Sequence, residues 1–292
     1  MQLSHFLFVA GAIGAAAHPS GHHVHRSAHL KQRDALEFVK TVHTTEAANP
    51  AAAAAAPSAS PAVLKESATP TPSPSASAAP AYTPFCGANA KVKRATLGQI
   101  LYEGNTGKAN GCKWGSNLMV VDNSIADKYD RVMTYTNHDS VPYQVICANK
   151  IGPDGAMTPM FPTDGELNFS VAPGQTKTVV ADINSQGTCA FAPNEIPKAE
   201  NGQYAGLWIE FDVGNTSNGG WSGADCSALV AQHYGLSVPT GSVCNFGTTY
   251  CSHMLPGGTG DNAYTKGMEA EDGVGLNLNS PKVHLEISMG QY

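Results

Sequence analysis

Two tryptophans and three carboxylates fall within one short stretch of this chain, from Trp208 to Asp225. Trp208, Glu210 and Asp212 alternate with Leu207, Ile209, Phe211 and Val213, so on a strand they project together from one side, and Trp221 and Asp225 follow just beyond the Gly219-Gly220 turn. Aromatic rings stack on the apolar faces of sugars while carboxylates accept their hydroxyls, which is the chemistry of a glycan-binding surface. The pair Glu210 and Asp225 could also serve glycoside hydrolysis, one as a raised-pKa acid, with a separation of about 5–5.5 Å or about 6.5–9.5 Å setting the stereochemical outcome. A plainer reading competes: ordinary solvated residues on a half-buried sheet, with the tryptophans partly in the core, because acidic pairs on strands are common and catalytic ones rare.

Other chemistries find less support. Six histidines, His18, His22, His23, His25, His29 and His43, crowd the N-terminal region. A terminal His18 with a second histidine could brace copper, and a His-rich tract can hold zinc. A brace must pack on a folded domain, however, and this tract is separated from the domain by a long low-complexity stretch; Lys31-Gln-Arg33 could be a processing site that removes it. His138, His233, His253 and His284 lack ligand spacing. Gly220-Trp-Ser-Gly223 has the wrong glycine spacing for a nucleophile elbow, and Gly257-Gly-Thr-Gly260 lacks the lysine and helix of a phosphate loop. Glu269, Glu271 and Asp272 miss the alternating oxygens of a calcium loop. No cofactor and no metal site is expected.

The elements that must position the acidic stretch are strands. Alternation is clearest over Leu207 to Val213, where one face reads as core and the other as wet, and it recurs at Lys282 to Met289. Leu167 to Val171 repeats it before the Pro173-Gly174 turn, and Thr176 to Ile183 follows as the second arm of a hairpin-like pair. Tyr143 to Ala148 and Leu118 to Asp122 are further strands. Helices are few: Asp225 is placed to cap a short one through Gln232 or His233, and Ser124 to Tyr129 fits a turn or two. Together with Gly/Pro-punctuated gaps, this describes an all-β, two-sheet β-sandwich with one or two short helices.

The chain divides into four parts. Residues 1–17 read as a signal peptide: an apolar run from Phe6 to Ile13 ends in Ala15, Ala16 and Ala17, and is too short to span the roughly 30 Å hydrocarbon core. Residues 18–46 form the His-rich segment. Residues 47–84 are almost wholly Ala, Pro, Ser and Thr, a composition that cannot offset chain entropy and suits a disordered stalk. Residues 85–292 make one disulfide-stabilised β domain, in which twelve Lys/Arg face nineteen Asp/Glu from Cys86 onward. That acidic balance argues against nucleic acid and against an anionic membrane surface, while neutral polymers stay open. The expected location is extracellular or the cell wall.

All seven cysteines lie in the domain. An odd number leaves at least one without an intramolecular partner. Cys244 and Cys251 close a short ring worth roughly 2.5 kcal/mol in the chain-entropy view; the connectivity of Cys86, Cys112, Cys147, Cys189 and Cys226 stays open. Two N-glycosylation sequons occur, at Asn168 and Asn215. Asn215, in a turn-rich segment, is the better acceptor, and Asn168 would serve only if its side of the strand faces water.

The segments Trp114-Gly-Ser-Asn117, Asn149-Lys-Ile-Gly-Pro-Asp-Gly155, Pro173-Gly-Gln-Thr-Lys177, Asn184-Ser-Gln-Gly187 and Gly220-Trp-Ser-Gly-x-Asp225, in this order, resemble the secreted fungal allergen family of the Asp f four type. The resemblance covers most of Cys86 to Tyr292. It implies an export signal, a low-complexity stalk and a compact domain without an assigned reaction, and host immunoglobulin as a partner; Cys147, Cys189 and Cys226 depart from the family pattern. A weaker similarity links Phe169-Ser-Val-Ala-Pro-Gly-Gln-Thr176, Glu210-Phe211 and Asp225-Cys-Ser-Ala-Leu229 to thaumatin-like proteins. It implies a sandwich with an acidic cleft that in some members binds or cuts β-glucan, with Glu210 and Asp225 matching two cleft carboxylates. The disulfide-dense second half of that family is missing. The resulting expectation is a secreted or wall-associated binding or structural module for wall polysaccharide such as β-glucan, with a glucan-active hydrolase as the alternative.

Overall fold

The structure is a computed structural model of the 292-residue chain, and it describes residues 80–86, 104–108, 111–271 and 273–290. The signal, the His-rich segment, nearly all of the stalk and Asp272 lie outside these residues. Within them the domain is all-β: thirteen strands build two sheets, joined by short 3₁₀ turns and one short helix. No helix among the described residues is long and apolar enough to cross a membrane.

The strands are β1 (Leu118–Val121), β2 (Arg131–Asn137), β3 (Tyr143–Asn149), β4 (Leu167–Val171), β5 (Thr176–Ala181), β6 (Ser185–Pro193), β7 (Leu207–Asn215), β8 (Trp221–Ser227), β9 (Gly241–Asn245), β10 (Cys251–Leu255), β11 (Thr259–Asp261), β12 (Leu276–Leu278) and β13 (Val283–Met289). One sheet has seven strands in the order β1-β5-β2-β13-β9-β10-β11, and the other has six in the order β12-β8-β7-β6-β3-β4. Every neighbouring pair is antiparallel except β2 and β13, which run parallel from Arg131 beside Val283 to Asn137 beside Met289. The two-residue alternation of β13 puts Val283, Leu285, Ile287 and Met289 inward.

The main core lies between the sheets. Met133, Tyr135, Val179, Val243, Leu285 and Ile287 from the first sheet meet Tyr143, Val145, Phe191, Leu207, Ile209 and Phe211 from the second. Both sheets are also covered on their outer faces. A smaller cluster of Phe85, Ile125, Tyr129, Val132 and Val180 backs the seven-stranded sheet. A larger one, containing Trp114, Met160, Ile196, Tyr204, Val230 and Ala231, lies across the outer face of β3, β6 and β7 through Ile146, Ala148, Ala190, Ala192 and Trp208. This second layer makes β6 and β7 buried on both sides: eight of nine positions in β6 and all nine in β7 are inaccessible.

Two local expectations are corrected. β4 and β5 do not pair with each other: β4 joins β3, and β5 lies between β1 and β2. The Pro173-Gly174 turn therefore carries the chain from one sheet to the other instead of closing a hairpin. Asp225 is not a helix cap but an interior residue of β8, and the helix α1 (Leu229–His233) begins after Ala228 without a side-chain cap. The 3₁₀ helix at Asn123–Lys128 matches its expected span to within a residue, with the Asp122 carboxylate accepting from the Ser124 amide.

Three disulfides cross-link the domain: Cys86–Cys112, Cys147–Cys189 and Cys244–Cys251. The last two join directly opposed residues of β3 with β6 and of β9 with β10. Cys226 is the free thiol among the described residues; it is buried in the main core, where its Sγ lies 3.3 Å from the Ser252 carbonyl oxygen.

Candidate functional site

Strand pairing decides which of the acidic residues meet. On β7 and β8, Glu210 lies directly opposite Asp225 and Trp208 opposite Ser227; on β6, Thr188 stands beside Glu210 and Gln186 beside Asp212. Glu210, Asp212 and Asp225 thus share the outer face of the six-stranded sheet, as alternation requires. Opposed residues hold their Cβ atoms about 4.5–5.5 Å apart, so the Glu210 and Asp225 side chains are direct neighbours on that face.

Water is largely kept from this face, which corrects the expectation that it is wet. Trp208 is 2% exposed, Glu210 and Asp212 8% each, and Asp225 0%. Trp208 is packed in the Met160–Tyr204 layer and donates its indole N–H to the Tyr204 carbonyl at 2.8 Å. Gly275 closes over Asp225: a Cβ built there would stand 2.6 Å from the Asp225 Cβ, so only glycine fits. The Gly275 amide donates to Asn262 Oδ1 (2.8 Å), and its carbonyl accepts from Asn262 Nδ2 (3.1 Å) and the Tyr250 hydroxyl (3.1 Å). Trp221 is half-buried and stands opposite Asn215, at the far end of the β7–β8 ladder from Trp208. At about 3.3 Å per residue, the two tryptophans are separated by roughly 20 Å and form no joint platform.

Burial governs the electrostatics of the acidic group. It pushes the Asp225 carboxyl well above the usual carboxylate range, and the charge of Glu210 across the ladder pushes it further the same way. Asp212 is raised to about 6 by burial, against the opposing pull of the Asn215 amide and the Lys150 ammonium. The Asn215 Nδ2 donates to Asp212 Oδ2 at 2.6 Å, and the Lys150 Nζ reaches Gln186 Oε1. Such an arrangement favours the neutral form of Asp225 inside a sealed layer. A pyranose ring has no space to enter between Glu210 and Asp225.

The two sequons lie in opposite surroundings. Asn215 is wholly buried, its Oδ1 accepting from the Ser217 and Asn218 amides while its Nδ2 serves Asp212. An oligosaccharide on that nitrogen would have to displace Asp212 from a buried site. Asn168 lies exposed on the edge strand β4, its Oδ1 accepting from Gln144 Nε2 at 3.1 Å.

The motifs quoted above build scaffold. Trp114 donates its indole N–H to the Ile151 carbonyl (2.9 Å). Asn117 and Asn149 exchange side-chain amide bonds at 2.8 and 3.0 Å, and Asn117 also donates to the Ser185 hydroxyl (2.9 Å). Gly187 sits where an added Cβ would come within 2.4 Å of the Ala148 carbonyl oxygen. Three motifs far apart in sequence therefore meet at one corner of the sandwich, where β1, β3 and β6 are tied together.

An open concavity lies elsewhere, on the outer side of the seven-stranded sheet. A groove of about 560 Å³ runs between the Asn123–Lys128 turn, the starts of β2 and β13, and the β9–β10 connection. Its apolar floor is Ala126, Tyr129 and Val132, with Asp127, Asp130 and Lys282 on the rim. At one end Phe246, 55% exposed, stacks on the His284 imidazole with ring centres 4.3 Å apart and planes inclined by 1°. Sequence reasoning missed this place. Its residues are scattered from Asn123 to His284, and the one local signal was an exposed aromatic beside Cys244 in a tight cysteine-bridged loop.

Comparisons with known proteins bear on the lineage. A family model described as the Allergen Asp f 4-like domain matches residues 116–289. Allergen Asp f 4 from Aspergillus fumigatus (strain ATCC MYA-4609 / CBS 101355 / FGSC A1100 / Af293) is 35% identical over 192 residues, covering 65% of this chain and 58% of that protein. The chain thus spans less than two thirds of the length of this curated relative. Among solved structures, the protein elicitor MoHrip2 from Magnaporthe oryzae aligns with a TM-score of 0.35 at 13% identity, over 55% of this chain and 98% of its own. The thaumatin-like xylanase inhibitor TLXI aligns with a TM-score of 0.31 at 10% identity, over 54% and 97%. Similarities this low carry no weight for fold or function, and the architecture rests on the two sheets themselves. By the extent of the family match, the chain belongs to the Allergen Asp f 4-like domain family.

Proposed function

We propose that this chain is a secreted or wall-associated binding or structural module for neutral wall polysaccharide and not a hydrolase. The supporting observation is the closure of the acidic group: Glu210 and Asp225 face each other across the ladder, yet Asp225 is fully buried beneath Gly275. General acid–base catalysis needs the side chain within about 2.6–3.2 Å of the substrate, and a fully buried Asp225 cannot reach one. The quoted motifs are likewise engaged in tying strands together. Because the relative is named an allergen, recognition by host immunoglobulin is part of the proposal.

Incubation of the purified domain with insoluble β-glucan and with chitin, scoring depletion and released reducing sugar together, tests the reading. Depletion without release is the expected result. Release that disappears in Glu210→Gln would overturn it in favour of the hydrolase.

A further inference from the structure

We propose that the groove between the Asn123–Lys128 turn and Phe246 is a binding site for a single chain of neutral hexose polymer, with Phe246 as its stacking platform. This rests on the binding reading above and adds the place and manner of contact, which lie on the opposite side of the molecule from the acidic stretch.

Three features converge on that ligand. First, Phe246 is both exposed and fixed. Its amide donates to the His284 carbonyl at 2.8 Å, its ring lies flat on the His284 imidazole, and His284 Nε2 is held 2.9 Å from the Thr134 hydroxyl. Its loop is closed at the base by the Cys244–Cys251 disulfide. With one face covered by imidazole, the other is presented to water in a set orientation. The face of an aromatic ring is electron-rich and attracts the weakly positive C–H face of a pyranose, and a pre-positioned ring loses little entropy on binding. Burial lowers the His284 pKa, against the opposing pull of Glu286, which keeps the stacked pair uncharged at neutral pH.

Second, the groove is close to charge-balanced. Asp130 is paired with Lys282 at 2.8 Å and lies 3.9 Å from the Arg131 guanidinium, leaving Asp127 as the other rim charge. A polyphosphate or a polyanionic chain would meet two carboxylates and find the nearby cations, Lys282 and Arg131, already beside Asp130. A sugar hydroxyl, which both donates and accepts, can serve the carboxylates and the ammonium alike.

Third, size and shape fit a short stretch of polymer. A volume of about 560 Å³ falls within the range of about 300–1,000 Å³ found for small-ligand clefts. Tyr129 in the floor is buried, with the Tyr82 and Phe85 rings packed on it and its hydroxyl fixed by the Thr83 amide and carbonyl, each at 3.0 Å, so the floor is rigid. A run of sugars can therefore lie on a fixed apolar floor with Phe246 at one end.

The decisive experiment compares wild type, Phe246→Ala and Phe246→Trp for depletion by insoluble β-glucan and chitin and for affinity toward a soluble β-glucan oligosaccharide, with thermal unfolding as a fold control. Phe246→Ala is expected to weaken binding at least tenfold with an unchanged melting temperature, and Phe246→Trp to retain or strengthen it. Equal binding by all three proteins would overturn the groove assignment while leaving the binding reading intact. Failure of wild type to bind any of the polymers would overturn both. A wild-type dimer that Phe246→Ala converts to monomer would show the groove to be a contact between copies of the chain, and would also overturn the assignment.

Discussion

Replacing Asp212 by asparagine should flatten the pH dependence of the domain's stability. The folded carboxyl titrates near about 6 because it is buried, whereas in the unfolded chain the same group titrates near ~3.9. Between these values the folded state holds a proton that the unfolded state has released, so stability falls as pH rises. The contribution of the neutral acid is complete below about pH 4 and is lost as pH passes through about 6. A shift of about two units at about 1.4 kcal/mol each amounts to about 3 kcal/mol, or roughly 6–12 °C in melting temperature for a domain near 200 residues. The introduced carboxamide keeps an oxygen for the Asn215 amide, now 2.6 Å from Asp212 Oδ2, and carries no titrating proton. Asp225 shifts in the same direction and leaves a residual slope in the variant, while Asp122, lowered by its bonds from Ser124, acts in the opposite sense in both proteins. The informative quantity is thus the difference between wild type and D212N, measured by calorimetry from pH 4 to pH 7.5. Wild type should lose about 6–12 °C more than D212N across this range. Parallel profiles, or a wild type that gains on the variant as pH rises, would refute the argument.

Four further outcomes follow from the packing. The double replacement Cys147→Ala and Cys189→Ala opens a loop with a sequence separation of 42 residues and should cost about 4 kcal/mol by loop entropy, read from a lowered urea midpoint together with a slope that rises as the unfolded chain expands. Gly187→Ala drives a Cβ to 2.4 Å from the Ala148 oxygen and should cost about 1–3 kcal/mol, whereas Gly174→Ala meets no atom within 4 Å and is opposed only by its φ of 69°; chemical unfolding of the two variants side by side checks the contrast. Expressed through a secretory host, the chain should carry N-glycan at Asn168 and none at Asn215, a difference that peptide mapping before and after enzymatic deglycosylation resolves. Cys226, whose thiol burial pushes up to about 12, should resist iodoacetamide in native protein and react after unfolding in urea.

Strands whose residue types alternate were legible in the sequence even where both sides prove covered, as in β7, and β6, which lacks that contrast, was not. β13 shows why: Lys282, His284, Glu286 and Ser288 face out between inward Val283, Leu285, Ile287 and Met289, and its limits fall where alternation puts them. β6, Ser-Gln-Gly-Thr-Cys-Ala-Phe-Ala-Pro, has small or polar residues on a face that is nevertheless buried under Trp114, Met160 and Tyr204, so no two-beat contrast marks it. The same hidden layer is why Trp208, Glu210 and Asp212 read as wet. Alternation fixed which side of β7 they share but held no information about what lies over that side, since the cover comes from loops and a short helix outside the strand, Trp114, Met160, Tyr204 and Val230 among them. Connectivity of the cysteines shows the same divide. Cys244 and Cys251 are close enough in sequence to be paired by spacing, while Cys147 and Cys189 meet only because β3 and β6 pair in one particular register. The groove beside Phe246 required two sheet starts, a 3₁₀ turn and a bridged loop to converge, and no local pattern encodes such a convergence.

The parallel pairing of β2 with β13 has a consequence for how the molecule comes into being. β13 is the last of the described strands in sequence, yet it is the fourth of seven in its sheet, flanked by β2 and β9. A nascent chain that still lacks residues 283–289 holds two half-sheets whose raw borders face a missing centre. Until that strand arrives, those borders can only pair with water or with a neighbour's, the situation that invites aggregation. Maturation must therefore be a late, all-at-once event governed by long-range contacts and correspondingly slow. Any C-terminal trimming that reaches Val283 removes the keystone of the molecule, not a dispensable tail.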